Sequence, residues 1–164
     1  MSDLVALVGI FLLLVLAALL AMSETAISRT NRVKALHLAQ EKKPGAEALV
    51  RIVEDPARYL NVVLLLTLVA HITGTALATG MAIERWGTSG EAVAASVMTF
   101  VIFVFAEVVP KTYTVQRTEK AALMMARPVL LLGRLFNPVG KILIAISNLA
   151  LLVLPGKAMA KGPF

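Results

Sequence analysis

The chain has 164 residues, 59% of them apolar and only 16% charged, with a formal net charge of +6 and no cysteine. A soluble domain of this length has too little interior to hide so much apolar surface. The missing cysteines exclude disulfides, thiolate metal sites and cysteine nucleophiles. The charges are segregated, so the chain divides into long uncharged runs and short basic ones.

The first run, Leu4 to Met22, has 19 residues without an ionised group. A bilayer core about 30 Å thick needs roughly 20 helical residues to cross, so a first crossing is predicted over residues 4–28. Signal peptides begin with a basic n-region, whereas this chain begins Met-Ser-Asp. An uncleaved first helix is therefore expected. Residues 31–56 are polar and rich in Ala and Leu around Lys42-Lys43-Pro44-Gly45, which reads as a helical hairpin with a Pro-Gly turn. Asp55-Pro56 restarts the chain, Pro56 being suited to a first helical turn.

A second crossing is predicted over 57–84. From Tyr59 to Ile83 its 25 residues include only Tyr59 and His71 as titratable groups. A third is predicted over 91–112, where Ala92 to Ala106 is uncharged and Glu107 closes the run. The last apolar stretch, Ala121 to Leu154, carries Arg127, Arg134 and Lys141 every seven residues, with Asn148 continuing the stripe. Such a face suits a helix lying in the interface, so residues 117–154 are read as a juxtamembrane belt bent at Asn137-Pro138. A fourth crossing would also carry Lys157 and Lys161 outside. The predicted fold is an all-α membrane protein: three crossings, a helical hairpin and an amphipathic belt.

Orientation follows from the basic residues. Of sixteen Lys and Arg, seven lie between Arg29 and Arg58, eight lie from Lys111 onward, and Arg85 alone sits in the 84–91 connection. The positive-inside rule places the N-terminus outside and both basic segments in the cytoplasm, beside anionic lipid headgroups. Nucleic acid is not needed to explain the +6 charge.

Polar residues within membrane helices are functional suspects. Ser23 lies roughly 28 Å from Leu4, and Glu107 roughly 22 Å from Ala92, at about 1.5 Å per residue. Asn61 enters from the opposite side. All three are expected toward the cytoplasmic end, on three different helices. A hydroxyl, an amide carbonyl and a carboxylate form an all-oxygen set, which suits hard cations such as Mg²⁺ and Ca²⁺. Pro110 also removes the donor for the carbonyl of Ala106. That leaves a free backbone oxygen beside Glu107, the sort of irregularity tolerated at membrane depth where it lines a cavity. The plainer alternative is a helix end where Glu107 pairs with Lys111, four residues on. Glu24 has the plain reading of facing headgroup water, with Ser28 one turn on. His71, near mid-membrane, reads as a packing residue more readily than a proton relay. Thr67, His71 and Thr75 form a ridge, and Gly74-x-x-x-Ala78 a small-residue seam for packing within or between protomers.

Ser23-Glu24-Thr25-Ala26 ending a first helix, Asn61 opening the second and Glu107-Val-Val-Pro110-Lys111 closing the third together resemble one family. It is the transmembrane domain shared by bacterial CorC/CorB and animal CNNM (cyclin M) proteins, and the likeness covers roughly Leu4 to Pro155. The resemblance implies a homodimer in the bacterial inner membrane that exports Mg²⁺ in exchange for Na⁺. It implies an ion site lined by Ser23, Ser28, Asn61 and Glu107, with Pro110 and Lys111 shaping it and Thr25 in the same motif. Family members continue into cytoplasmic CBS domains that bind ATP. Here the chain has neither G-x-x-x-x-G-K-[ST] nor G-x-G-x-x-G. Residues 156–164 are therefore read as a truncated tail leading to cytoplasmic domains expected in the full-length protein but absent here, and nucleotide regulation is not expected of this chain.

Two other classes remain open at this stage. A non-transporting scaffold or sensor could hold a structural ion on the same oxygens. An enzyme is not expected: HExxH and G-x-S-x-G are lacking, and the only aspartates, Asp3 and Asp55, lie at or beyond the ends of the crossings.

Overall fold

The structure, a computed structural model, describes residues 3–153. These form α1 (Asp3–Ser28), α2 (Arg32–Gln40), α3 (Ala46–Glu54), α4 (Pro56–Trp86), α5 (Thr88–Val101), a π-helical segment (Ile102–Val108), α6 (Val109–Gln116), α7 (Thr118–Leu135) and α8 (Asn137–Val153). Among the described residues three helices are long and apolar enough to cross a membrane: Asp3–Ser28, Pro56–Trp86 and Thr88–Gln116. The bent pair Thr118–Leu135 and Asn137–Ser147 would make a fourth only if taken together as one broken span. Their outward faces are apolar, with Leu4, Phe11, Leu12, Phe100 and Phe103 all exposed. A soluble surface does not carry so continuous an apolar cover.

The third span is longer than the expected 91–112. Gly87, at φ 62°, completes the turn from α4 almost alone, so α5 begins at Thr88. A side chain on Gly90 would strike the backbone of Ala82; glycine there lets the two helices cross closely. At the other end Pro110 does not stop the helix. It is the second residue of α6, where the missing N–H is absorbed by the change of register in the preceding π segment.

Two cores hold the chain. Ala17, Ala70 and Ala106 meet between the three spans, flanked by Leu13, Leu14 and Ile102. Without a hydrophobic effect in lipid, such contacts rely on small residues that let helices approach closely. Gly74 belongs to the same packing: a Cβ on it would lie 3.9 Å from Leu13 Cβ and 3.8 Å from Met98 Cε. This seam therefore packs within the protomer.

The second core joins the hairpin to the end of α1, the start of α4 and α7, through Ile27, Leu38, Leu49, Ile52, Tyr59 and Val129. Asn31 caps α2, its Oδ1 accepting from the Lys34 amide at 2.8 Å. At the tip Gly45 (φ 88°) leans on the carbonyl of Leu123, leaving no space for a Cβ. The hairpin is thus seated on α7, and ion pairs reinforce it. Glu119 lies 3.0 Å from Lys34 Nζ and 2.7 Å from Lys43 Nζ. Hydrogen bonds from these two lysines, Lys43 foremost, hold the Glu119 carboxyl at a pKa of about 2.

The belt expected over 117–154 as one bent helix is two helices, with an 81° bend between Thr118–Leu135 and Asn137–Ser147. Phe136 leaves helical geometry (φ −96°, ψ 21°), and Pro138 has no N–H to continue the ladder back to Arg134. The bend also breaks the expected basic stripe. Arg127 and Arg134 share α7, while Lys141 lies on α8 past the bend. The side chain of Asn148 and residues 154–164, with Lys157 and Lys161, lie outside the described residues.

Candidate functional site

The π-helical segment positions the site. In it the amide of Val109 donates to the carbonyl of Val104, five residues back. Pro110 follows and donates to no carbonyl at all. A π turn of this kind widens the helix, frees a backbone carbonyl from the ladder, and recurs at functional sites. Glu107 lies inside that turn, next to Ala106, which is fully buried against the other two spans.

The alanine layer gives a depth reference. Counting along each helix at about 1.5 Å per residue, Glu107 starts roughly 1.5 Å past Ala106, Lys111 roughly 7 Å past it, and Glu24 roughly 10 Å past Ala17. Ser23 lies roughly 9 Å past Ala17 and Asn61 roughly 13 Å from Ala70. Ser23, Glu24 and Asn61 therefore sit toward the hairpin end, and Glu107 is rooted more deeply than its spacing in the sequence indicated.

Lys111 closes the gap. Its Nζ lies 2.6 Å from Glu107 Oε2 and 3.4 Å from Glu24 Oε2. One ammonium thus joins α1 to the third span, and the three side chains are only 28–38% exposed. The pairing of Glu107 with Lys111 expected from their four-residue spacing is present. Glu24, read as facing headgroup water, is instead turned toward the bundle and is part of the same group. Sequence gave one signal for this: Glu24 adjoins Ser23 at the depth expected of the site. Which way the helix turns it cannot be read from spacing within one helix.

Ser23 is 2% exposed, and its Oγ donates to the Leu19 carbonyl at 2.8 Å. With the hydroxyl proton committed there, its lone pairs are left to accept. Asn61 is half-buried, and its amide makes no side-chain hydrogen bond among the described residues. Thr25 is half-buried beside Glu24, whereas Ser28 is exposed at the last turn of α1. Ser28 lies roughly 7 Å beyond Ser23 along the helix, away from Glu107. Among the described residues no three His, Asp or Glu side chains converge to hold a metal. The charge here comes from two carboxylates and the Lys111 ammonium between them.

His71 stands apart, ten residues from Asn61 on α4. Its Nε2 is buried and has no hydrogen-bond partner among the described residues. It lines a shallow groove on α4 with Thr75, Thr79 and Gly80. Two buried threonines accompany the site without entering it: Thr67 donates to the Val63 carbonyl at 2.9 Å, and Thr114 to that of Pro110 at 2.8 Å.

The family model described as the cyclin M transmembrane N-terminal domain matches residues 8–163. The chain belongs to this family. A UPF0053 protein of Mycobacterium tuberculosis is 32% identical over 161 residues, covering 96% of this chain and 36% of the relative. A UPF0053 protein of Haemophilus influenzae is 30% identical over 125 residues, covering 76% and 30%. The UPF0053 inner membrane protein YfjD of Escherichia coli is 35% identical over 100 residues, covering 61% and 23%. This cyclin M domain is a multi-pass membrane domain, and it spans about a third of the length of the first two relatives.

Proposed function

We propose that this cyclin M domain carries a divalent cation, Mg²⁺ by preference, through the core of its three spans. The observation that carries the reading is the placement of Glu107 in a π turn, between buried Ala106 and Pro110, with a second carboxylate, Glu24 on α1, meeting the same Lys111 ammonium. Carboxylates held within an apolar bundle are costly unless they meet a positive charge. Lys111 supplies one positive charge to the two carboxylates, and a cation passing through would supply the rest.

In this reading a hydrated Mg²⁺ enters from the hairpin end, taken as cytoplasmic from the charge pattern. Ser23, Asn61 and Glu107, joined by Glu24, replace part of its hydration shell. Mg²⁺ dehydrates reluctantly and keeps several waters, so a site with few protein oxygens and fixed negative charge fits its chemistry. The carbonyl that Pro110 leaves unpaired offers a further oxygen. Movement at the π turn would then open the site outward, as broken helices do in other transporters. Export coupled to Na⁺, a homodimeric assembly, an inner-membrane location and attached nucleotide-binding CBS domains belong to this proposal by family resemblance. No catalytic role is proposed.

The test is flux. Purified protein in liposomes should move Mg²⁺, and Glu107→Gln should abolish the flux while the protein remains monodisperse. The scaffold alternative gives no flux from the wild type, and normal flux from Glu107→Gln would remove the site from Glu107.

A further inference from the structure

We propose that Lys111 is a tethered counter-ion that sets the charge of this site and so selects between monovalent and divalent cations. The inference rests on the cation-site reading above, and it concerns what occupies the site between transport events. Lys111 Nζ is within 3.4 Å of carboxylate oxygens from two different helices, Glu24 on α1 and Glu107 in the π turn. No other cationic side chain is paired with either carboxylate among the described residues. The ammonium lies against both carboxylates, so a cation bound by them would compete with it.

Charge arithmetic gives the consequence. With Lys111 in place, two carboxylates and one ammonium sum to −1, which a monovalent cation such as Na⁺ neutralises. With Lys111 withdrawn the sum is −2, which a divalent cation neutralises. A Mg²⁺ and the ammonium cannot share the two carboxylates, because two cations within about 4 Å repel strongly in a partly desolvated site. Divalent binding therefore requires Lys111 to leave. The side chain can do so: it is 38% exposed on a flexible four-carbon stem whose head seeks water. Its root lies toward the hairpin end, one turn past Glu107, so swinging out takes the ammonium to the same side from which the ion enters.

A purely structural bridge makes a different prediction. Removing its lysine would leave two carboxylates opposed and destabilise the bundle, with no gain in cation affinity. The experiment is Mg²⁺ titration by calorimetry on the full chain in detergent, at constant ionic strength with choline exchanged for Na⁺. Wild type, K111M and K111R are compared, with K111Q replacing K111M if the latter is not monodisperse. K111M should bind Mg²⁺ at least about tenfold tighter than wild type, as removal of one nearby competing charge implies. It should also lose stability in chelator and regain it with Mg²⁺. K111R, which keeps the charge, should stay near wild type. Equal Mg²⁺ affinity in wild type and K111M overturns the counter-ion role and leaves the cation site standing. Absence of Mg²⁺ binding in all variants overturns both.

Discussion

At the scale of single residues, the site depends on a few side chains whose polarity is out of place in lipid. Ser23 is the simplest case. Its hydroxyl proton is committed to Leu19, so Ser23→Ala removes an accepting oxygen and little else. The variant should keep wild-type thermal stability within about 1 kcal/mol, the usual size of one hydrogen bond, and bind Mg²⁺ several-fold more weakly in a calorimetric titration. Unchanged affinity would take Ser23 out of the ligand set. Ser23, Asn61 and Glu107 stood out in the sequence as candidates because a membrane segment makes every polar residue conspicuous. The link from Glu24 to Lys111 was not, since it joins residues 87 positions apart on helices whose mutual rotation no spacing records. Lys111 was visible as the local partner of Glu107 and, through the family resemblance, as a residue shaping the site, but not as a partner of Glu24.

At the scale of elements, Pro110 and the π turn act together. Proline removes an N–H, and the wider register absorbs the loss while turning Glu107 toward the core. Pro110→Ala restores a donor and permits an ordinary α-helix. Removing one residue's worth of register would rotate Glu107 and Lys111 together by about 100° relative to the part of the span before the turn, and so away from Glu24. Flux should fall at least about tenfold while thermal stability holds or rises, because a proline inside a helix is costly; unchanged flux would show the π turn to be incidental. The sequence indicated a broken ladder at Ala106 but not the π register, because the choice between a break and a wide turn is made by packing against Ala17 and Ala70.

The hairpin gives a second test. Glu119 holds Lys34 and Lys43 with a carboxyl lowered from 4.5 to about 2. A lowered carboxylate pKa favours the docked form above the unfolded value, and that contribution fades as pH falls from 4.5 toward 2. Hydrogen exchange at hairpin amides should thus be faster in Glu119→Gln than in wild type at pH 6, and the difference should vanish near pH 2. A difference that persists at low pH would contradict it. Gly133, whose absent side chain makes room for the Tyr59 ring, should lose about 1–3 kcal/mol on substitution by alanine in a thermal melt, the usual cost of overpacking.

At the scale of the whole molecule, three apolar runs separated by basic and polar segments were enough to find the three long apolar helices. The bend that divides the belt was expected at Asn137-Pro138, but its 81° size was not, because proline permits a kink without fixing its angle. Orientation can be tested cleanly in a chain without cysteine. Gln40→Cys in the hairpin should react with an impermeant maleimide only after the membrane is opened, and Ser89→Cys should react in intact cells; the reverse pattern would invert the topology. The most direct test of the cation site itself is Mg²⁺ binding by calorimetry to the purified chain, beside Glu107→Ala. Binding in the wild type that disappears in the variant is the predicted result. Equal binding by both would contradict it and leave Glu107 a structural partner of Lys111.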